Sequence, residues 1–442
     1  MDLLLAFLGF IVCMTVSLAL DITMLLPLGI GLILFSSLAL RRGFTLKQIL
    51  SFAADSLKES FIVVGILLII GCLTGMWRLS GTVAYFVTLG VSAIPPQVFI
   101  LAAFLLSSLM AYALGTSFGV TATAGVILMS IARAGGVDPV LAAGAILSGV
   151  YVGDRGSPAA SSANLVAVLT HTDMRKNVRE MLKCSIVPFL LCCLIYGLLS
   201  LKAPMQSVDT GILNKLGEEF RLEWYCIIPA VLMIVLPFCK MSIKLSMAVS
   251  LAASVAVAML TQQVSLLSCI KVMLLGYTAN NSALSGMVSG GGVISMLEIC
   301  GILMLSCSYG TIFEGTGLIS SVNEKICAVA EKIGRFPAML LLGTITPIVF
   351  CNQTVATIMQ SNLSNGLYGD SDEERSSKMI DIENSVILVA GLVPWCIACS
   401  VPLAMLNADA RAVPAGFYLW LVPLWWLLKS KLKTRTKSLG VK

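Results

Sequence analysis

The chain has 442 residues, of which 58% are hydrophobic and 12% charged; a soluble globular protein carries about 25% charged residues, so a soluble fold is excluded. Most of the net charge of +6 sits in the tail, at Lys429, Lys431, Lys433, Arg435, Lys437 and Lys442, where it reads as a positive-inside signal and not as a nucleic-acid surface. The single histidine, His171, and the lack of a G-x-x-x-x-G-K-[ST] pattern argue against a histidine-rich metal site and against ATP hydrolysis.

In chain order, apolar runs that meet or approach the roughly 20 residues of a spanning helix cover 3–20, 22–40, 60–77, 97–114, 184–201, 222–239, 243–261, 293–313, 337–350, 384–406 and 413–428. With the shorter apolar pieces between them, they predict an all-α polytopic membrane protein of about 10–13 crossings, some broken or re-entrant. Met1-Asp2-Leu3 lacks a basic start, so no cleavable leader is expected. Lys and Arg mark cytoplasmic loops: Arg41, Arg42, Lys47 and Lys58; then 171–183; then Lys240 and Lys244; then Lys325, Lys332 and Arg335. The more acidic stretches 202–223 and 370–381 fit the outside, which places both termini in the cytoplasm of a plasma-membrane protein. Segments 44–58 and 318–335 mix charge with apolar residues and read as interfacial helices. The 14 cysteines lie mostly in apolar runs, where Cys acts as a small hydrophobe; this covers the C-x-x-C pair Cys396 and Cys399.

A shift of about 236 residues lays GILLIIGCLTGMWRLSG (65–81) over GILMLSCSYGTIFEGTG (301–317), and the break Gly115-Thr116-Ser117 over Cys351-Asn352-Gln353. The span at 60–77 leaves a basic loop whereas that at 293–313 runs toward one. Like elements in opposite orientation form an inverted repeat, the usual build of secondary transporters. The expected organisation is a first repeat over 1–205, an external connection at 206–222, a second repeat over 223–428 and a basic cytoplasmic tail at 429–442.

Ionisable residues within spans cost about 2.5–3.5 kcal/mol on insertion scales and mark functional positions. Asp154 lies in GVYVGDRGSP (149–158), where Gly153, Gly156 and Pro158 are expected to interrupt a helix. Carboxylate, hydroxyl and freed carbonyl oxygens suit Na⁺, and the same carboxylate can take H⁺ instead. The bland reading is an Asp154–Arg155 pair that pins the break. Glu314, in GTIFEGTG (310–317), and Glu383, before Leu392-Val393-Pro394-Trp395, are candidate proton or cation groups, or else carboxylates at helix ends. Asp381 and Glu298 are placed at the interface. The uncharged breaks offer Thr116, Ser117, Asn352 and Gln353 as solute ligands near the bilayer centre, against a reading as small-residue packing.

At these residues the sequence resembles the NhaC-type sodium/proton antiporter family of the ion-transporter superfamily. The stretch 115–165 is similar to the family's run ending G-D-K-x-S-P-x-S-D-T-T-N-L, and matches at Asp154, Ser157, Pro158 and Asn164. GTIFEGTG resembles its G-x-x-x-E-x-T-G, giving Glu314. ENSVILVAGLVPW (383–395) resembles its E-D-A-G-T-V-x-S-P-L-V-P-W, giving Glu383, Pro394 and Trp395. Ser161 stands where the family motif has a second aspartate, Asn384 replaces an aspartate, and Asn352-Gln353 replaces an acidic residue followed by Gln. The resemblance implies a cation-coupled exchanger of inverted repeats, no cofactor beyond Na⁺ and H⁺ as transported or coupling ions, and an ion site from Asp154, Ser157, Ser161, Asn164, Glu314 and Glu383. A solute site would add Thr116, Ser117, Asn352, Gln353 and Asn384. It leaves open a related activity, Na⁺- or H⁺-coupled transport of a small carboxylate or amino acid. The expected partners are membrane lipid, the small ion or solute and a second copy in a homodimer.

Overall fold

The computed structural model describes residues 2–20, 22–205, 210–239, 241–281, 284–285, 288–316 and 322–439. Among them the chain is helical, with one isolated antiparallel bridge between Tyr277 and Gly290. The first part holds α1 (Asp2–Ala19), α2 (Leu25–Arg41), α3 (Leu46–Leu79), α4 (Thr82–Ala93), α5 (Phe99–Leu114), α6 (Ser117–Val120), α7 (Val126–Ala134), α8 (Pro139–Gly156), α9 (Ser161–Thr170) and α10 (Met174–Lys202). The helix α11 (Thr210–Glu219) falls in the connection. The second part holds α12 (Ile228–Phe238), α13 (Ile243–Thr261), α14 (Leu266–Leu275), α15 (Ile294–Gly315), α16 (Val322–Ile333), α17 (Arg335–Phe350), α18 (Gln353–Leu363), α19 (Asp372–Glu383), α20 (Val386–Val389), α21 (Ile397–Met405) and α22 (Phe417–Leu439).

Among the described residues four single helices are long and apolar enough to cross a membrane: Pro96–Leu114, Ser117–Ala134, Met174–Lys202 and Lys244–Thr261. Two bent pairs qualify together, Val64–Leu79 with Thr82–Gly90 at 66° and Asp372–Leu392 with Ile397–Met405 at 50°. Six shorter apolar helices of 10–17 residues accompany them among the described residues. The 44–58 segment is no separate interfacial helix. Thr45 caps α3 through a reciprocal pair with Gln48, and the helix runs unbroken for 34 residues, about 51 Å. That exceeds the ~30 Å hydrocarbon core, so its first turns extend past the apolar layer.

The 236-residue offset reappears in the backbone. The helix α5 ends at Gly115 (φ 66°, ψ 28°) and α17 ends at its mate Cys351 (φ 54°, ψ 11°). Thr116 and Asn352 follow in extended conformation, and each caps the next helix with its side chain. Pro158 and Pro394 lie in matching breaks, before α9 and α21, whose first residues Ser161 and Ile397 are also mates. His171 and Asn407, again mates, both take positive φ, and Asp173 and Asp409 both cap the element that follows. In α6–α7 a π turn at Thr121–Gly125 widens the helix just after its break, a frequent feature of functional sites.

Close helix packing sets the core. A Cβ at Gly153 would fall 2.0 Å from the backbone of Ala111, and one at Gly149 would fall 2.6 Å from Phe104 O. These glycines, one turn apart, let α8 lie directly on α5, as small residues do between spans. Gly153 therefore does not interrupt the helix as the sequence suggests: α8 continues to Gly156 and breaks at 157–160.

The loops sort onto two faces. Lys176, Lys332, Arg335, Glu374, Asp381 and Lys429 line one cleft, and Arg335 bridges Glu374 at 2.7 Å. The acidic stretch 370–381 thus shares the basic face instead of opposing it. Asp and Glu contribute little to membrane orientation, so its acidity misleads. Asp381, expected at an interface, is buried and accepts from Tyr368 Oη and Trp426 Nε1, both at 2.7 Å. The opposite face gathers Pro96 and Met205, which share a backbone bond, Gly135 against Met205, and the cavity lined by Arg133, Asp138 and Asn407.

Candidate functional site

Asp154 stands in the last turn of α8, buried. Helical phase turns it toward the two uncharged breaks. Ser117 Oγ donates to Oδ1 at 3.4 Å and Gln353 Nε2 donates to Oδ2 at 3.3 Å. Ser117 and Gln353 are mates at the 236-residue offset, and each is the first residue of the helix that follows its break. One donor from each half therefore reaches one carboxylate, and both helices present their N-terminal ends, whose partial positive charge favours an anion. The mate of Asp154 itself is Ala390, so the second half contributes a donor but no second carboxylate. Ser162 Oγ donates to the Asp154 carbonyl and ties α9 to the site. The Ser162 hydroxyl and the Ser117 backbone N–H also lie within hydrogen-bonding reach of the carboxylate, so every donor around it is neutral. Among the described residues no cationic side chain lies within ion-pair distance of Asp154.

Arg155 does not pair with Asp154. Its guanidinium, fully buried, turns across the molecule and donates to the Glu383 carbonyl, Asn384 Oδ1, Cys184 Sγ, the Met181 carbonyl and Tyr418 Oη. It thereby joins α8, α10, α19 and α22 behind the site. Glu383 is completely buried, and neither carboxylate oxygen has a hydrogen-bond partner. It lies within electrostatic range of both Arg155 and Asp154.

The other sequence candidates fall into place around this centre. Ser157 is buried and accepts from Ala159 N, so it shapes the turn. Ser161 is exposed, and the neighbouring Ser162 is the serine that reaches Asp154. Asn164, also exposed, donates to the carbonyls of Pro158 and Ala160 and so holds the break. Thr116 and Asn352 cap helices; Asn352 also donates to Cys307 Sγ. Asn384 is a buried ligand of Arg155. The backbone of Glu314 belongs to α15, and its side chain lies outside the described residues, as does Gly317. Sequence reasoning missed Ser162 and the turn of Arg155 away from Asp154. The signal for Ser162 was its phase: once α9 starts at residue 161, the second residue faces back toward α8.

The Na⁺/H⁺ antiporter family model matches residues 149–427. The chain is 27% identical over 394 residues to a malate-2H⁺/Na⁺-lactate antiporter of Bacillus subtilis, covering 86% of this chain and 84% of that protein. It is 22% identical over 381 residues to the Na⁺/H⁺ antiporter NhaC of Alkalihalophilus pseudofirmus (85% and 82% covered) and 23% over 408 residues to that of B. subtilis (90% of each).

Proposed function

Since the chain belongs to the Na⁺/H⁺ antiporter family, a family of multi-pass secondary transporters and not of enzymes, we propose that it exchanges Na⁺ for H⁺ at Asp154. The observation that carries this reading is a buried carboxylate held by neutral donors, among them a side chain from each matching break. An anion inside the protein without a countercharge is costly. It takes either a proton or an alkali cation, and competition between the two suffices for exchange if the loaded forms alternate access. Ser117 Oγ and Ser162 Oγ, both beside Asp154, are neutral oxygens of the kind a hard cation takes. Glu383, buried with both oxygens unpartnered, is the second proton carrier. The two halves sit inverted in the plasma membrane with the basic face and both termini in the cytoplasm.

In everted vesicles carrying a proton gradient, Na⁺ or Li⁺ is expected to collapse the gradient, Asp154→Asn to abolish the response, and Asp154→Glu to keep part of it. Exchange at the normal rate by Asp154→Asn would sink the proposal. The relative named for malate and lactate supports a second reading, in which Asp154 binds the coupling ion and an organic solute moves with it. Labelled-solute uptake driven by a Na⁺ or H⁺ gradient, with no Na⁺/H⁺ exchange in its absence, would select that reading.

A further inference from the structure

The helices α9 and α18 both begin beside Asp154 and run about 15 Å to the basic face. Between their far ends lies a cavity of about 420 Å³ whose lining includes His171, Asn362, Asn365, Asp370, Arg375 and Lys378. Lys378 is only 8% exposed. Its ammonium donates to Asn365 Oδ1 at 2.6 Å, which uses one of three N–H groups. Among the described residues no carboxylate lies within ion-pair distance of it. Arg375 precedes it by three residues on α19, half-buried, so the two cations lie on neighbouring parts of one helix surface. Asp370, the carboxylate of the lining, is exposed. A buried ammonium without a countercharge is costly unless an anion reaches it.

The matching cavity on the opposite face sharpens the point. It has about the same size, 390 Å³, and places Asn407 where the first has His171. There the cations are already engaged: Arg133 donates to the carbonyls of Leu406 and Asn407, and Arg411 bridges Asp409. The fold thus offers two like hollows; among the described residues the one on the basic face holds Lys378, buried and without an acidic partner, whereas Arg133 in the other is satisfied by two backbone carbonyls.

We propose that this cavity binds a small carboxylate anion through Lys378 and Arg375, as a site separate from Asp154. The planar fork of Arg375 matches a carboxylate in two parallel hydrogen bonds, while Lys378 supplies a point charge and the asparagine amides orient the remainder. The volume is at the lower end of small-ligand sites and fits an acid of a few carbons. The ion-exchange reading neither uses this cavity nor depends on it.

The test is isothermal titration of the full-length protein in detergent with succinate, malate and lactate. Inorganic phosphate is a parallel titrant, and all are compared with chloride at matched ionic strength. At least one carboxylate is expected to bind saturably. Binding is expected to weaken tenfold or more in Lys378→Gln and in Arg375→Gln, and to persist in Asp154→Asn. Should Lys378→Gln not fold, Arg375→Gln at the half-buried position carries the test alone. Several results overturn the proposal: no saturable carboxylate binding, undiminished binding in the variants, phosphate taken with carboxylates refused, or loss of binding in Asp154→Asn. Normal Na⁺/H⁺ exchange by Arg375→Gln alongside lost anion binding separates this site from the exchange site.

Discussion

Arg155 follows Asp154 in sequence, yet its guanidinium bonds to partners on α10, α19 and α22 while the carboxylate faces the breaks. That separation leaves Asp154 chargeable and makes its neutral donors decisive. A hydrogen bond to a charged group is worth about 1.5–3 kcal/mol, and 1.4 kcal/mol is about a factor of ten. Ser117→Ala or Gln353→Leu removes a donor that favours the ionised carboxylate, so the proton competes better for it. Each variant is expected to raise the apparent KM for Na⁺ about tenfold at fixed pH. Each should also move the pH of half-maximal exchange about one unit higher, read in everted vesicles; Ser117→Thr, which keeps the hydroxyl, should stay near the parent. Unchanged Na⁺ and pH dependence in both variants would remove these donors from the site.

The two breaks are the elements that position those donors, and they reach the same backbone with different residues. At Gly115 a Cβ would fall 2.4 Å from the Ala159 backbone, on top of φ +66°. At Cys351 the left-handed conformation carries a side chain, and its carbonyl accepts from Ile397 N at 2.9 Å. Exchanging the mates should therefore be asymmetric. Cys351→Gly relieves a conformation that costs a side chain about 1–2 kcal/mol and should keep expression and transport. Gly115→Cys must push the 157–160 break from its place and should lose both. Measured membrane yield and exchange for the pair check this; equal tolerance of the two would mean that the Gly115–Ala159 contact is not fixed. Both breaks were legible in the sequence, because small polar triplets inside apolar runs have few other uses. The role of Gly153 was not, since a glycine that breaks a helix and one that lets two helices touch look alike until the neighbour is known. Asp154 stood out as a lone carboxylate, whereas the choice of Ser162 over Ser161 needed the start of α9. The turn of Arg155 toward Asn384 joins positions 229 residues apart, which no local pattern encodes.

At the scale of the whole molecule the repeated elements support a statement about sidedness. His171 and Asn407 are mates at one offset, with φ of 52° and 50°, yet they line different cavities. The first cavity holds Asp370 and Arg375, and that stretch continues into the cleft of Lys332, Arg335 and Lys429. The second holds Arg133 and Asp138, beside the Pro96–Met205 contact. If the halves are inverted, the mates must face opposite compartments, and the acidic stretch must face the same one as the basic tail. Single cysteines at His171, Asp370, Asp138 and Asn407, placed in a chain whose own exposed Cys239 is replaced, can be labelled in intact cells with a membrane-impermeant maleimide. The cysteines at 138 and 407 are expected to react from outside, and those at 171 and 370 only after the membrane is opened. Joint labelling of 171 and 407 from one side would rule out the inverted arrangement and, with it, alternation by exchange of equivalent halves. Labelling of 370 from outside would return the acidic stretch to the side that its charge alone suggested, and would break the shared face on which the anion cavity depends.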